Sequence, residues 1–568
     1  MRDDHRQSSA ARRLETVERH LDRTRHAKLT PTAPLGLSQL SGSTDAASSK
    51  ADDRAKWVQA GIEQLRALFP AEQLSLDLTT RNSHGSSWGS FIPPSPPSAV
   101  LHAHTTSDVV KAVKFAVENR WTVIPTGGRT ALEGQFIPTC CNPPEADKWD
   151  PLRASRTATS GDDSQQREQL GASFRPTLHV SLSRMNKVVE VHEDDFQAII
   201  EPGVGWVSLN KYLADRGIKL HFPVDPAPGA EFGGMVGVAG SGTNTVGYGT
   251  LRGEWITSLE VVLMDGSVIR TKGTNRARKS STGWDTARLF LGSEGTLGIV
   301  TRITVRLAPL LPLRVALTSF PNVARAVSTS IAIIRQGLAP TSLELLDGVS
   351  IRGLNLANLL EGRKLEEKPT VLMRFSGASP LAIDQVLNKV KEIVAENQGD
   401  DLWIANNDKD NELIWNARKS QYWSQQLLVG EGCRTMITDI CVPLSRVAEF
   451  VDRSDVFVRD SGLLAPVVAH IGDGNIHRAI LFKNNSADST VPPHEVEALA
   501  KKLALLAIEL EGTCSGEHGI GLTKRGYLRR ELGDGTLRLM RRIKREMDPL
   551  NLLNPGKILF EEGEEDWK

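Results

Sequence analysis

Cysteine is scarce in this chain. The five present, Cys140, Cys141, Cys433, Cys441 and Cys514, form no CxxC pair and are odd in number. That fits a reducing compartment rather than a disulfide framework. Aromatic residues make up only 5% of the sequence, too few for base-stacking platforms. Net charge is lacking too: 68 basic residues meet 68 acidic ones without a long like-charge block, so a nucleic-acid surface is not expected. The longest apolar runs, such as Leu503 to Leu506, are far short of a bilayer span. What remains is a 568-residue chain, long enough for two or three domains with ample core.

Histidine and glycine carry the chemistry. His470-Ile-Gly-Asp-Gly-Asn-Ile-His477 reads as strand, turn and returning strand, a hairpin that makes the two imidazoles neighbours. Gly516-Glu517-His518-Gly519 follows, just beyond a helix with apolar positions at 496, 499, 503, 506 and 510. His470, His477 and Glu517 form a His2Glu set suited to zinc or a similar divalent metal with a position open for substrate. His518 is left to move a proton. Two solvent-facing histidines on a polar hairpin are the plainer reading, which the glycine-flanked Glu-His pair outweighs.

Glycine-dense loops lie upstream. The strand Trp121–Ile124 empties into Pro125-Thr-Gly-Gly-Arg-Thr130, where adjacent glycines let backbone N–H groups approach a phosphate. No G-x-G-x-x-G is present and no helix pattern opens on these glycines, so a Rossmann site is the weaker reading. From Pro226 to Gly249 there are eight aperiodic glycines in 24 residues, as expected of a chain wrapping a large planar ligand with a diphosphate. Leu289 to Val300 alternates tight turns with β-branched residues.

Together these segments resemble the FAD-linked D-2-hydroxy acid dehydrogenases, with their PCMH-type (vanillyl-alcohol oxidase-like) FAD domain, over roughly residues 93–310 and 410–560. The resemblance implies an α+β fold. It divides the chain into a disordered or targeting segment (1–60, with 31–55 as a link), an FAD domain (61–310) with a surface insertion at 141–176, a cap carrying substrate and metal (311–545), and a tail returning to the flavin (546–568). Pro125, Gly127, Gly128, Arg129 and Thr130 would hold the pyrophosphate of a non-covalent FAD. Pro226, Gly229, Gly233, Gly234, Gly240, Ser241, Thr243 and Tyr248 would line the isoalloxazine and ribityl side. Glu294, Gly298 and Val300 would approach the adenosine, and Asn554 the ring. Arg129 stands where a third glycine is common.

The same resemblance implies His518 as base, Asn475 in the catalytic group and Arg418 as carboxylate clamp, against a plainer surface pairing of Arg418 with Glu412 or Asp410. The expected reaction is hydride transfer from a 2-hydroxy acid to flavin, with electrons passed to an external acceptor such as cytochrome c. Relatives specific for hydroxyglutarate present a Lys where Ile437 stands and a Thr where Tyr422 stands. A short monocarboxylate, D-lactate first, is therefore expected. Mitochondrial residence is expected by resemblance, although Asp3, Asp4, Glu15, Glu18 and Asp22 interrupt the Arg-rich start.

Overall fold

Three large sheets and a two-stranded ribbon organise the described residues of a computed structural model, which are 44–139, 175–483 and 491–560. The chain divides into two compact units, Met1–Lys56 and Trp57–Lys568, and the second contains all of these sheets. The expected insertion at 141–176 falls almost wholly outside the described residues. One expectation is corrected: a helix spans Thr44–Leu68, so residues 44–60 are not an unstructured segment. Ala, Lys, Gln and Arg favour helix there, and Val58, Ile62 and Leu65 fall on one face that packs against the first core.

The first sheet contains β1 (Leu74–Ser75), β2 (Ala99–His102), β3 (Thr122–Thr126) and β4 (Thr177–Ser181), in the order β1-β2-β4-β3. β2 and β3 run parallel to β4, and the helix Thr106–Asn119 supplies the crossover between β2 and β3. Its N-cap is Thr105, whose side chain accepts from Asp108 N while Asp108 accepts from Thr105 N. Ser107, two positions on, is already inside the helix and cannot cap it. β3 ends at the Gly-Gly-Arg turn.

β5 (Val188–His192), β6 (Gln197–Ile200), β8 (Ile256–Val262), β9 (Val268–Arg270) and β10 (Ile299–Arg306) form an antiparallel sheet in the order β5-β6-β10-β8-β9. β7 (Leu220–His221) pairs instead with β11 (Ala308–Pro309). The glycine-rich stretch runs between β7 and β8 and includes the short helices Phe232–Val238 and Thr245–Tyr248.

The third sheet is the largest. β12 (Leu313–Ser319), β13 (Ser342–Leu346), β14 (Thr370–Ser376), β15 (Trp403–Ile404), β16 (Arg434–Ile437), β18 (Val467–His470) and β19 (Asn475–Phe482) lie in the order β15-β12-β14-β13-β18-β19-β16, and β17 (Ile440–Cys441) also pairs with β19. Side chains alternate between faces. One face puts Leu343, Leu345, Met373, Ala469, Ile476 and Ile480 into the main core with Leu387, Val451 and Leu503 from the helices. The other carries Arg374, Glu344, His470 and His477.

After the helix Leu528–Met547 the chain returns to the first sheet. Leu552 and Leu553 enter its core, Leu553 bridges Val123 in parallel, and Asn554 N donates to Val123 O at 2.8 Å. Among the described residues no helix is long and apolar enough to cross a membrane.

Candidate active site

The β18–β19 hairpin sets His470 opposite Asn475 and Val468 opposite His477, so both imidazoles project from the polar face. Its turn needs glycine at Gly474: φ is +86°, and a Cβ there would lie 2.1 Å from Val442 O. The two rings stand 5.5 Å apart and nearly perpendicular.

Hydrogen bonds on the far side of each ring fix which nitrogen faces the site. His470 Nδ1 donates to Glu344 Oε1 at 2.7 Å, and His477 Nδ1 donates to Thr438 O at 3.0 Å. Each Nε2 then points at the same carboxylate oxygen, Glu517 Oε1, at 3.4 Å from His470 and 3.1 Å from His477. Burial opposes ionisation of Glu517, yet His470 and His477 hold its pKa well below the carboxylate range. Burial likewise opposes protonation of His470, but Glu344 and Glu517 outweigh it and hold its pKa well above the imidazole range. The pocket thus favours positive charge between these three groups, and the donor set suits a divalent ion.

Asp439 builds the loop that presents Glu517. Fully buried, it accepts from Glu517 N at 3.0 Å, His518 N at 2.8 Å, Ser515 Oγ at 2.9 Å and Asn475 Nδ2 at 2.9 Å. Burial would raise its pKa, but Lys524, His518 and His477 hold it well below the carboxylate range. A second possible metal group, Asp439, His477 and His518, is less suited, because the Asp439 oxygens are already committed to these donors. Glu294 closes the same loop, accepting from Ile520 N at 2.6 Å and Gly521 N at 2.9 Å. Gln135 Nε2 donates to His518 O at 2.7 Å.

His518 stacks on His477, with ring centroids 5.2 Å apart, and its buried Nδ1 has no partner. Burial pushes its pKa below the usual imidazole value, with Asp439 acting against the shift. The shift favours the neutral imidazole. Arg418 pairs with neither Glu412 nor Asp410: its Nε and Nη2 reach Glu344 Oε2 at 2.7 and 2.5 Å. Asn475 directs its amide at Asp439 and Ile440 O, leaving Oδ1 buried and unpartnered.

The loop from Pro226 to Gly249 touches the proposed metal ligands through Ser241, whose Oγ donates to Glu517 Oε2 at 2.8 Å. Several residues there suit a flavin. A Cβ on Gly234 or Gly249 would meet nothing within 4 Å, and Thr126 Oγ1 and Asn554 Oδ1 are buried without partners. Arg129 has φ +56°, the left-handed conformation that explains the glycine common at this position, and is tied down through Nη1 to Ser83 O at 2.6 Å. Other expected ligands do structural work. A Cβ on Gly233 would press on Pro202 and one on Gly298 would strike Val261. Thr243 Oγ1 is spent on Asp225, and the Glu294 carboxylate on the 517–521 loop. Asn554 Nδ2 donates to Gln135 O and Glu294 O, joining the returning tail to both.

Comparison with known proteins agrees with this architecture. The family described as FAD linked oxidases, C-terminal domain, matches residues 312–558, and an FAD binding domain matches 164–272. The chain is 36% identical to the mitochondrial D-lactate dehydrogenase [cytochrome] of Arabidopsis thaliana, over 88% of this chain and 80% of that one. It is 35% identical to the probable mitochondrial D-lactate dehydrogenase of Danio rerio, over 88% and 92%. A glycolate oxidase subunit of Bacillus subtilis is 27% identical over 81% and 89%. The same fold is seen in 4-ethylphenol oxidase from Gulosibacter chungangensis (TM-score 0.67, 18% identity, 89% of this chain and 98% of that). It is seen again in p-cresol methylhydroxylase (TM-score 0.65, 15% identity, 90% and 98%). The fold is thus the PCMH-type flavoprotein fold. The chain belongs to the FAD-linked oxidase family that includes the D-lactate dehydrogenases [cytochrome].

Proposed function

We propose that this chain oxidises D-lactate to pyruvate and passes the electrons to an external acceptor such as cytochrome c. The observation that carries this reading is the convergence of His470 Nε2 and His477 Nε2 on Glu517 Oε1, one hydrogen bond from the glycine loop through Ser241. The names of the relatives and the family membership support it.

The chain's own residues divide the work. His470, His477 and Glu517 would hold a divalent metal, whose contribution is Lewis acidity at the substrate's hydroxyl and carboxylate. The loops from Pro125 to Thr130 and from Pro226 to Tyr248 would hold FAD, which supplies the two-electron acceptor for the hydride leaving Cα. His518, half-buried and stacked on His477, takes the hydroxyl proton as a neutral imidazole. Asp439 keeps His518 and Glu517 at their stations through the two backbone N–H groups. Glu344 orients His470 and Arg418 together, and Arg418 faces the substrate's carboxylate with the Nη1 edge that Glu344 leaves free.

Specificity for a short monocarboxylate follows from Ile437 and Tyr422, neither of which satisfies a distal carboxylate. Tyr422 instead packs against Trp423 and Trp88. The test is turnover of purified protein with D-lactate before and after chelation, with flavin absorbance followed throughout. Activity that survives complete metal removal refutes the metal role. Mitochondrial residence, a word in several relatives' names, is proposed on likeness alone. A reporter fused to residues 1–60 that stays in the cytosol overturns it.

A further inference from the structure

Arg374 is a cation at this site that pairs with no carboxylate among the described residues. It lies on β14 opposite Ser342 of β13, and strand alternation puts it on the face that carries Glu344 and His470. Its guanidinium carbon stands 4.0 Å from the centre of the Trp415 ring, one helical turn before Arg418. Its Nε is buried with no hydrogen-bond partner, and Nη1 makes one long contact, 3.4 Å, to Asn244 Oδ1. That oxygen is already served by Ser342 Oγ at 2.7 Å.

The carboxylates near it are already engaged. Asp225 and Glu344 are the carboxylates whose charge acts on Arg374. Asp225 accepts from Thr243 Oγ1 and Asn244 N, and has Lys419 Nζ at 3.6 Å. Glu344 accepts from Arg418 on one oxygen and His470 on the other. Among the described residues no carboxylate oxygen lies within ion-pair distance of Arg374. A largely buried guanidinium without a counter-charge is costly, and that cost falls when an anionic ligand binds. Arg418, by contrast, has two of its donors committed to Glu344.

We infer that Arg374 binds the carboxylate of the hydroxy acid, lying across the polar face from Arg418, and is what makes the site select an acid over its neutral analogue. The inference rests on the function proposed above and adds a recognition residue to it. It also assigns Trp415 a task, since its ring holds the guanidinium in place while leaving the N–H edge open.

The experiment compares D-lactate with D-lactamide, whose carboxylate is replaced by a neutral amide, in the FAD- and metal-loaded full-length protein. Wild type, Arg374→Gln and Arg374→Lys are each assayed for kcat and KM, with flavin and metal content measured. The expected result for Arg374→Gln is a KM for D-lactate raised about 10- to 100-fold, as for loss of a charge-assisted hydrogen bond. Its kcat should change less and its KM for D-lactamide little, with flavin and metal retained. Arg374→Lys should fall between, because an ammonium cannot reproduce the planar fork, and it decides the matter if the Gln variant does not fold. Equal loss on acid and amide overturns the role of Arg374 while leaving the proposed function intact. A loaded wild-type protein that does not turn over D-lactate overturns both.

Discussion

Ser241 donates to Glu517 at 2.8 Å, so a residue of the glycine-rich loop touches the carboxylate proposed to hold the metal. The oxygen it engages, Oε2, is the one that neither histidine approaches. Ser241 therefore orients Glu517 without competing for the ligand position. Removing such a partner typically costs 10- to 100-fold in metal affinity. Ser241→Ala should weaken metal binding by about that factor, measured by titration of the metal-free protein, with FAD still bound. Unchanged metal affinity would separate the two halves of the site.

Chelation should abolish turnover and leave the flavin in place, because the metal ligands and the glycine loops lie on different sheets and loops. Glu517→Gln should lose metal in the same way. Release of FAD in step with the metal would show that the loops depend on the ion.

His518→Ala should retain metal and flavin and lose about 10²- to 10⁴-fold in kcat, the usual value of a positioned base. Metal analysis beside steady-state kinetics checks both halves of this expectation.

Glu231 sits under the turn proposed to hold the pyrophosphate: a Cβ on Gly127 would lie 3.1 Å from its Oε2. Burial pushes its pKa up to about 7, opposed by Ser183 and Arg129. Below that value the group is neutral, and above it a carboxylate would face the diphosphate proposed to lie on this turn. FAD affinity of the apoprotein should therefore fall as pH rises through about 7, and Glu231→Gln should flatten the dependence. Fluorescence titration of FAD at a series of pH values reads it directly.

Much of this was legible because the residues lie close together in sequence. Hairpin spacing placed His470 beside His477, and glycine density marked the wrapping loops. The returning tail and the α+β architecture were legible only through the resemblance. What escaped depends on contacts distant in sequence. Asp439 organises Glu517 and His518 from 78 and 79 residues away, and its own segment reads as an ordinary strand end. Glu344 joins Arg418 and His470 across 74 and 126 residues, so no local pattern could choose it over Asp410 or Glu412 as the arginine's partner. The helix Thr44–Leu68 was hidden because Ser, Thr and Asp dominate its first turns, while Trp57, Val58, Ile62 and Leu65, which pack on the first core, lie in its second half.

The central claim is tested most directly by steady-state kinetics of the FAD- and metal-loaded protein on D-lactate, L-lactate, glycolate and D-2-hydroxyglutarate. With Ile437 and Tyr422 where a second carboxylate would need a partner, kcat/KM should be highest for D-lactate and lower for glycolate. It should be lowest for the diacid and the L-enantiomer. A higher kcat/KM for D-2-hydroxyglutarate than for D-lactate would contradict the account.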